Sequence, residues 1–285
     1  MILFENVIKK FNRIQVLDDI NLHIEQGEKI ALIGSNGAGK TTLIRCLLGE
    51  YNHQGSIKVK NIPTRKQRQQ ILSEIGFVPQ LPPPLKMPVG QLIHFAAELC
   101  HSDPQRMKDV AERLGLDLGQ LWKRPFIKLS GGQKQKLLIA IALGRDSRIL
   151  ILDEPAANLD PAARQLFFEL LSEYPEDTVM LISSHRLDEV AALVNRVVEM
   201  DQGKVVLDDR VADSVALNSR LACSIRLTRH ETAFFATLET WGFTHDDDSL
   251  QWTGQVSGAD RLRFLGMLSR YAGLLAAINM EEINQ

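Results

Sequence analysis

Cysteine is scarce in this chain. Cys46, Cys100 and Cys223 are the only three in 285 residues, and no two of them form a Cys-x-x-C pair. An odd, scattered set argues against a disulfide framework and for a reducing compartment. Net charge is also nearly absent: 33 basic against 35 acidic residues gives −2. Nothing in that balance draws the whole chain to nucleic acid or to an anionic membrane. No uninterrupted apolar run approaches the length that crosses a bilayer. The opening Met1-Ile2-Leu3-Phe4-Glu5 meets an acidic residue at once, without the shape of a signal peptide. The expectation is a soluble or peripheral chain, with any membrane work done by another polypeptide. What the chain does have is 45% hydrophobic content, enough for one large packed domain and a small one.

One stretch dominates the rest. Gly34-Ser35-Asn36-Gly37-Ala38-Gly39-Lys40-Thr41 reads G-x-x-x-x-G-K-T. An apolar run, Lys29 to Ile33, precedes it, and apolar residues at helical spacing follow from Thr42 to Leu48. Strand, glycine loop and helix together make a phosphate-binding P-loop. The glycines let backbone N–H groups converge on phosphate oxygens, and the helix N-terminus adds partial positive charge. Lys40 is expected to reach the β- and γ-phosphates, and the Thr41 hydroxyl to hold Mg²⁺. Thr42 completes the set of nucleotide-contacting residues.

Along the chain, residues 2–8 and 20–25 alternate like strands, with Phe11 in the turn between them and Asp18-Asp19 as turn material. Phe11 is either core packing or a ring that stacks on a base. Residues 55–60 read as a further strand, and the basic Thr64–Arg68 stretch as a solvated helix face. Ile75–Val78 is a short strand leading into Gln80, which is placed to bind the metal or the attacking water. The stiff Leu81-Pro82-Pro83-Pro84 follows. Residues 88–122 show helical spacing and read as a small helical insertion. His94 and His101 within it lack partners at metal-ligand spacing and read as exposed helix residues.

Leu129-Ser130-Gly131-Gly132-Gln133 precedes a helical run from Lys134 to Leu143. It is a second anion cradle in miniature, with Lys134 and Lys136 adding positive field; the plainer reading is a helix cap by Ser130. Two cradles for one nucleotide hint at two chains sharing a ligand. Ile149–Asp153 is a buried strand that ends in two carboxylates, Asp153 and Glu154. Asp153 is placed for Mg²⁺ and Glu154 as base on the attacking water. Ala157–Pro161 is a turn opening a helix. Thr178–Ser183 is one more buried strand, leading to Ser184-His185 and a helix from Arg186 to Leu193, so His185 also lies at a strand's C-terminal edge. Residues 196–200 and 204–207 resemble a closing hairpin.

These motifs together resemble an ATP-binding cassette (ABC) ATPase over about residues 1–210. Leu129–Gln133 matches the family signature without substitution, Gly34–Thr41 its P-loop and Ile149–Pro155 its Walker B segment. Ala157–Asp160 looks like the D-loop, with Ala157 and Asn158 differing from the commonest residues. Gln80 falls at the Q-loop position, His185 at the switch-histidine position, and Phe11 where the family stacks an aromatic on adenine. The resemblance implies a P-loop α/β fold with a RecA-like core, an antiparallel β subdomain and a helical subdomain at about 81–145. It implies ATP and Mg²⁺, the metal held by Thr41, Gln80 and Asp153. It also implies a head-to-tail homodimer in which Ser130, Gly131, Gly132 and Gln133 of one subunit close over ATP on the P-loop of the other. A membrane permease would dock near residues 80–100, where Pro82–Pro84 departs from the family pattern, and a periplasmic companion protein could join it. The chain would then lie on the cytoplasmic face of the inner membrane of a bacterium. The other class of function is a soluble ABC ATPase that remodels a protein or nucleic-acid complex; no direct nucleic-acid contact is expected. A chain that only senses ATP is disfavoured by Glu154 and His185.

Residues 211–285 lie outside that resemblance. Strand 223–227, helix 231–240, extended segment 242–247, strand 249–256, helix 258–270 and a strand near 274–282 give a βαββαβ order. That order suggests a small α+β, ferredoxin-like domain. The tail looks like the C-terminal extension of exporter-type cassettes, most similar to the ATPases of nitrous oxide reductase copper-site maturation. No metal-ligand cluster in the sequence supports copper handling by the chain itself. Asp246–Asp248 reads as a solvated turn.

Overall fold

The computed structural model describes residues 1–64, 67–145, 147–185, 187–210, 220–245, 250–257, 261–269 and 271–283. Arg65, Lys66, Arg186, the Asp246–Asp248 turn and the ends of several expected tail elements lie outside the described residues. Two compact units are present, Met1–Val211 and Ala212–Gln285.

The first unit opens with strands β1 (Ile2–Phe11), β2 (Ile14–Ile24) and β3 (Lys29–Ile33), then helix α1 (Lys40–Leu47). Strands β4 (Gln54–Val59) and β5 (Ile62–Pro63) precede helix α2 (Arg68–Ser73) and strand β6 (Ile75–Val78). A helical insertion follows, with α3 (Val89–Cys100), α4 (Pro104–Arg113), α5 (Leu118–Leu121) and α6 (Gly131–Leu143). The chain then runs through β7 (Ile149–Asp153), α7 (Pro161–Ser172), β8 (Val179–Ser184), α8 (Leu187–Val190), β9 (Arg196–Asp201) and β10 (Lys204–Arg210).

The larger sheet has the order β10-β9-β3-β8-β7-β6. Pairing is parallel from β9 through β6, and only β10 returns antiparallel, as a hairpin with β9. Alternate residues of the strands leave the sheet on opposite faces. Ile30, Leu32, Ile149, Ile151 and Leu181 pack with Leu43, Ile44 and Leu47 of α1. Ala31, Leu150, Leu152, Met180 and Ile182 pack on the other side with Ile139 of α6 and Phe167 of α7. Burial on both faces explains the unbroken aliphatic runs in these strands. The P-loop, Glu154 and His185 follow β3, β7 and β8, which are neighbours, so all three reach one edge of the sheet. The smaller sheet, β2-β1-β4-β5, is antiparallel and shares the core beneath α1. Met107, Ala111, Phe126 and Leu137 belong to a separate core inside the helical insertion.

Two expectations need correction here. Phe11 is not in a turn: it is the last residue of β1, and Asn12-Arg13 alone connects to β2, with Asn12 at φ 53°. Asp18-Asp19 is not a turn either, but lies inside β2. Asp19 takes φ 53° where the β1–β2 register shifts, and its Oδ1 accepts from Asn6 Nδ2 at 3.0 Å. A bulge stabilised in this way lets two acidic residues sit within a strand.

The second unit has β11 (Arg220–Leu227), α9 (Thr232–Thr240), β12 (Thr244–His245), β13 (Gln251–Ser257), α10 (Arg261–Ser269) and β14 (Leu275–Glu282). Its sheet order is β12-β13-β11-β14 with every adjacent pair antiparallel, the arrangement of a split βαβ unit. Leu221, Cys223, Ile225 and Leu227 alternate inward against Phe234 and Leu238 of α9 and Phe264 and Leu268 of α10.

Candidate functional site

The loop between β3 and α1 owes its shape to glycine. Gly34, Gly37 and Gly39 have φ of 147°, 88° and 107°, values that other residues adopt only with strain. At Gly39 a Cβ would also meet Leu17 Cδ2 at 2.9 Å and the Val16 carbonyl at 3.0 Å. The loop therefore fits close against β2. Residues 35–42 line a cleft of about 310 Å³ together with Val16, Gln80 and Glu154. Lys40 is buried, and its Nζ donates to the carbonyls of Gly34 (2.7 Å) and Ser35 (3.3 Å) while lying 3.8 Å from Glu154 Oε1.

Behind the loop lies a chain of oxygen atoms. Thr41 Oγ1 donates to Asp153 Oδ1 at 3.2 Å. Ser183 Oγ donates to the same Oδ1 at 2.7 Å and accepts the Glu154 N–H at 2.9 Å. Burial pushes the Asp153 carboxyl above its ordinary range; the Ser183 and Thr41 hydrogen bonds pull it back, and Glu154 pushes it further up. Two hard oxygen ligands side by side, with the Gln80 amide on the same cleft, suit a hard divalent cation of the Mg²⁺ kind. Ser183 is the functional residue that spacing did not reveal. A hydroxyl at the end of an apolar strand carries no pattern of its own; its one signal is burial of a polar side chain beside a carboxylate.

Glu154 stands just past β7 with φ 48°, uncommon for a residue with a side chain. Its Oε2 accepts from His185 Nδ1 at 3.0 Å. Because an ionised carboxylate only accepts, Nδ1 carries the proton in this contact. The structure thus brings together Lys40, Thr41, Gln80, Asp153, Glu154 and His185.

Phe11 and Ser130–Gln133 are not among the residues lining that cleft. Phe11 is 40% exposed and meets Tyr51 edge-on at 5.2 Å, with Lys9 Nζ 4.5 Å above its ring. Ser130 and Gln133 form a reciprocal capping box on α6: Ser130 Oγ accepts the Gln133 N–H, and Gln133 Oε1 accepts the Ser130 N–H. The helix accordingly begins at Gly131, three residues before the expected Lys134. Gly131 has open space where a side chain would be. Lys136 does not add free positive field there; its Nζ pairs with Asp160 Oδ2 at 3.0 Å. Gln135 Nε2 donates to the Pro155 carbonyl at 2.9 Å. The segment after Glu154 is therefore tied at two points to the helix that carries Ser130–Gln133. His94 and His101 are exposed and outside these contacts.

Comparisons with known proteins fit this geometry. A family model described as ABC transporter matches residues 17–157. The energy-coupling factor transporter ATP-binding protein EcfA2 of Clostridium tetani is 34% identical over 209 residues, 68% of this chain and 72% of that protein. Human ATP-binding cassette sub-family A member 10 is 33% identical over 214 residues, 72% of this chain, but the match spans only 14% of that much longer protein. Among solved structures, a dimeric bacterial ABC transporter cassette superposes with a TM-score of 0.67 at 23% identity, covering 75% of this chain and all of the other. At that identity the likeness speaks for the fold.

Proposed function

The chain belongs to the family of ABC transporter ATP-binding subunits, and from that premise we propose that it hydrolyses ATP at two sites shared by a head-to-tail homodimer and so drives a separate membrane permease. The observation that carries the hydrolytic reading is Glu154. It is held at a positive φ with one carboxylate oxygen on His185 and the other toward Lys40, at the mouth of the P-loop cleft. Backbone strain of this kind, about 1–3 kcal/mol, persists where the surroundings over-determine it, commonly at active sites.

Each group has a role that its position supports. The P-loop amides and Lys40 cradle the phosphates and withdraw charge from the γ-phosphoryl group. Glu154 orients the attacking water and accepts its proton. His185, with Nδ1–H on Glu154, fixes that carboxylate and leaves its other ring nitrogen to face the γ-phosphate. Thr41, Asp153 and Gln80 would hold Mg²⁺, which when bound neutralises charge on the β- and γ-phosphate oxygens. Ser183 sets the direction of Asp153 and Glu154 together. Phe11 offers an exposed ring to the adenine.

The homodimer rests on the separation of the two cradles. Ser130–Gln133 sits at a helix N-terminus outside the P-loop cleft of its own chain, with open space at Gly131. A second chain closing a two-fold assembly would bring that helix end to the γ-phosphate, and a two-fold axis gives two such sites at once. A solved cassette of this fold is described as dimeric. The permease is inferred from transporter-subunit relatives and from the absence, among the described residues, of any helix long and apolar enough to cross a membrane. The transporter-subunit relatives also support a place on the cytoplasmic face of the membrane.

Steady-state phosphate release by the purified chain tests the proposal. Turnover dependent on Mg²⁺ and lost in Glu154→Gln, with ATP binding retained, is the expected result. Normal turnover in that variant would remove Glu154 as the base. Purification from gently solubilised native membranes tests the partner: a stoichiometric multi-span protein is expected, whereas recovery of soluble proteins alone would favour a remodelling ATPase.

A further inference from the structure

The segment that carries Glu154 is also held from behind, by a residue outside the P-loop cleft. Glu154 has φ 48°, a conformation that costs energy and persists only where the surroundings fix it. Its N–H is held by Ser183 Oγ, and its carbonyl accepts the Ala157 N–H at 3.2 Å. Pro155 follows; it brings no N–H of its own, and its ring locks φ. Its carbonyl accepts from Gln135 Nε2 at 2.9 Å. A hold on that carbonyl therefore reaches the Glu154 Cα through a single stiff residue.

The donor of that bond stands in the second turn of α6 and is 1% exposed. Leu137, Ile139 and Ala140, all buried, anchor the helix just beyond it. Burying a primary amide is costly, and an apolar side chain of the same size would avoid the cost. What the amide provides in return is the bond to Pro155. The neighbouring tie is weaker: Lys136 ends on Asp160, whose side chain is 54% exposed, and a pair so open to water contributes little. Between the two ties the segment lies close on the helix, since a Cβ on Gly132 would meet the Asn158 carbonyl oxygen at 3.2 Å.

We infer that Gln135 is a positioning residue for hydrolysis: its amide fixes the Pro155 carbonyl and, through it, sets where the Glu154 carboxylate meets the attacking water. The inference rests on the reading of Glu154 as the base. Gln135 does not line the P-loop cleft, so it acts through Glu154 and not on the nucleotide. Misplacing a reacting group by about 1 Å can cost on the order of 10²-fold in rate, so one buried hydrogen bond at this point is enough to matter. The same helix begins at Ser130–Gln133. The element proposed to cover the partner's ATP is then also the one that aligns the base of its own chain.

The test measures phosphate release by the full chain across a range of ATP concentrations with Mg²⁺, and the Glu154→Gln variant is read first. Gln135→Met keeps the length of the side chain and removes the amide. It is expected to lower kcat about tenfold or more while KM for ATP stays within about threefold. In single-turnover assays, Glu154→Gln combined with Gln135→Met is expected to be no slower than Glu154→Gln alone, because a residue that acts through Glu154 has nothing left to align. Gln135→Leu repeats both measurements if the Met variant folds poorly. A kcat within about twofold of wild type in a folded Gln135 variant, beside an inactive Glu154→Gln, overturns the inference and leaves the ATPase reading standing. So do losses that multiply in the double variant, the mark of general damage. Normal turnover in Glu154→Gln removes the base itself, and the inference with it.

Discussion

At the scale of single residues, one serine hydroxyl joins two carboxylate-bearing positions. Ser183 accepts the Glu154 N–H and donates to Asp153, so its removal frees a buried amide and takes a donor from a buried carboxylate. Leaving such a donor unpaired costs about 1–3 kcal/mol. Ser183→Ala is therefore expected to lower the free energy of unfolding, read from a denaturant titration, by that amount and to lower kcat more than it raises KM for ATP. A wild-type kcat would show that the hydroxyl is structural only. Asp153 supplies a pH prediction. Its folded pKa is raised, chiefly by burial, so the folded state holds the proton more tightly than the unfolded state. The favourable contribution is present below the ordinary aspartate range and is lost as pH rises through the folded value. In nucleotide-free protein, Asp153→Asn should raise the melting temperature at neutral pH and change little in acid, while abolishing turnover. A melting series across pH, without Mg²⁺, reads this directly; a variant less stable at neutral pH would contradict it.

At the scale of elements, close approach between backbones decides several boundaries. The end of α6 packs onto α4 so tightly that a Cβ on Gly144 would meet the Met107 Cα at 2.6 Å and its backbone nitrogen at 2.7 Å. Backbone atoms cannot rotate away, so Gly144→Ala should cost about 1–3 kcal/mol by overpacking. Urea unfolding measures it, and an unchanged midpoint would mean that α4 can shift freely. The elements also show what a sequence can disclose. Strand, loop and helix around Lys40 were legible because the pieces are consecutive and each carries its own pattern. The strand ends at Glu154 and His185 were legible as apolar runs, but their meeting depends on β7 and β8 being neighbours, which no local pattern states. Phe11 was misplaced because β1 continues through Lys9 and Lys10, whose long side chains hide the alternation. Asp18-Asp19 was misread because its bulge depends on Asn6, on the other strand. Lys136 reads as added positive field in the sequence and nothing there marks Gln135; only the folded chain shows them holding Asp160 and Pro155.

At the scale of the whole molecule, the account turns on a site that one chain does not complete. The P-loop, Gln80 and Glu154 share one cleft, with Asp153 hydrogen-bonded to Thr41 of the loop, and Ser130–Gln133 lies outside it. Through the two ties from α6 to the segment after Glu154, a second chain touching Ser130–Gln133 as proposed would also press on that segment in the subunit that carries them. Assembly and hydrolysis would then be linked, with ATP as the glue and its cleavage as the release. The most direct measurement is sedimentation of Glu154→Gln with and without ATP and Mg²⁺. The account predicts a monomer alone, a dimer when ATP is added, and a monomer again when Ser130→Glu is combined with it. A Glu154→Gln chain that binds ATP yet sediments as a monomer in both conditions would contradict the shared site.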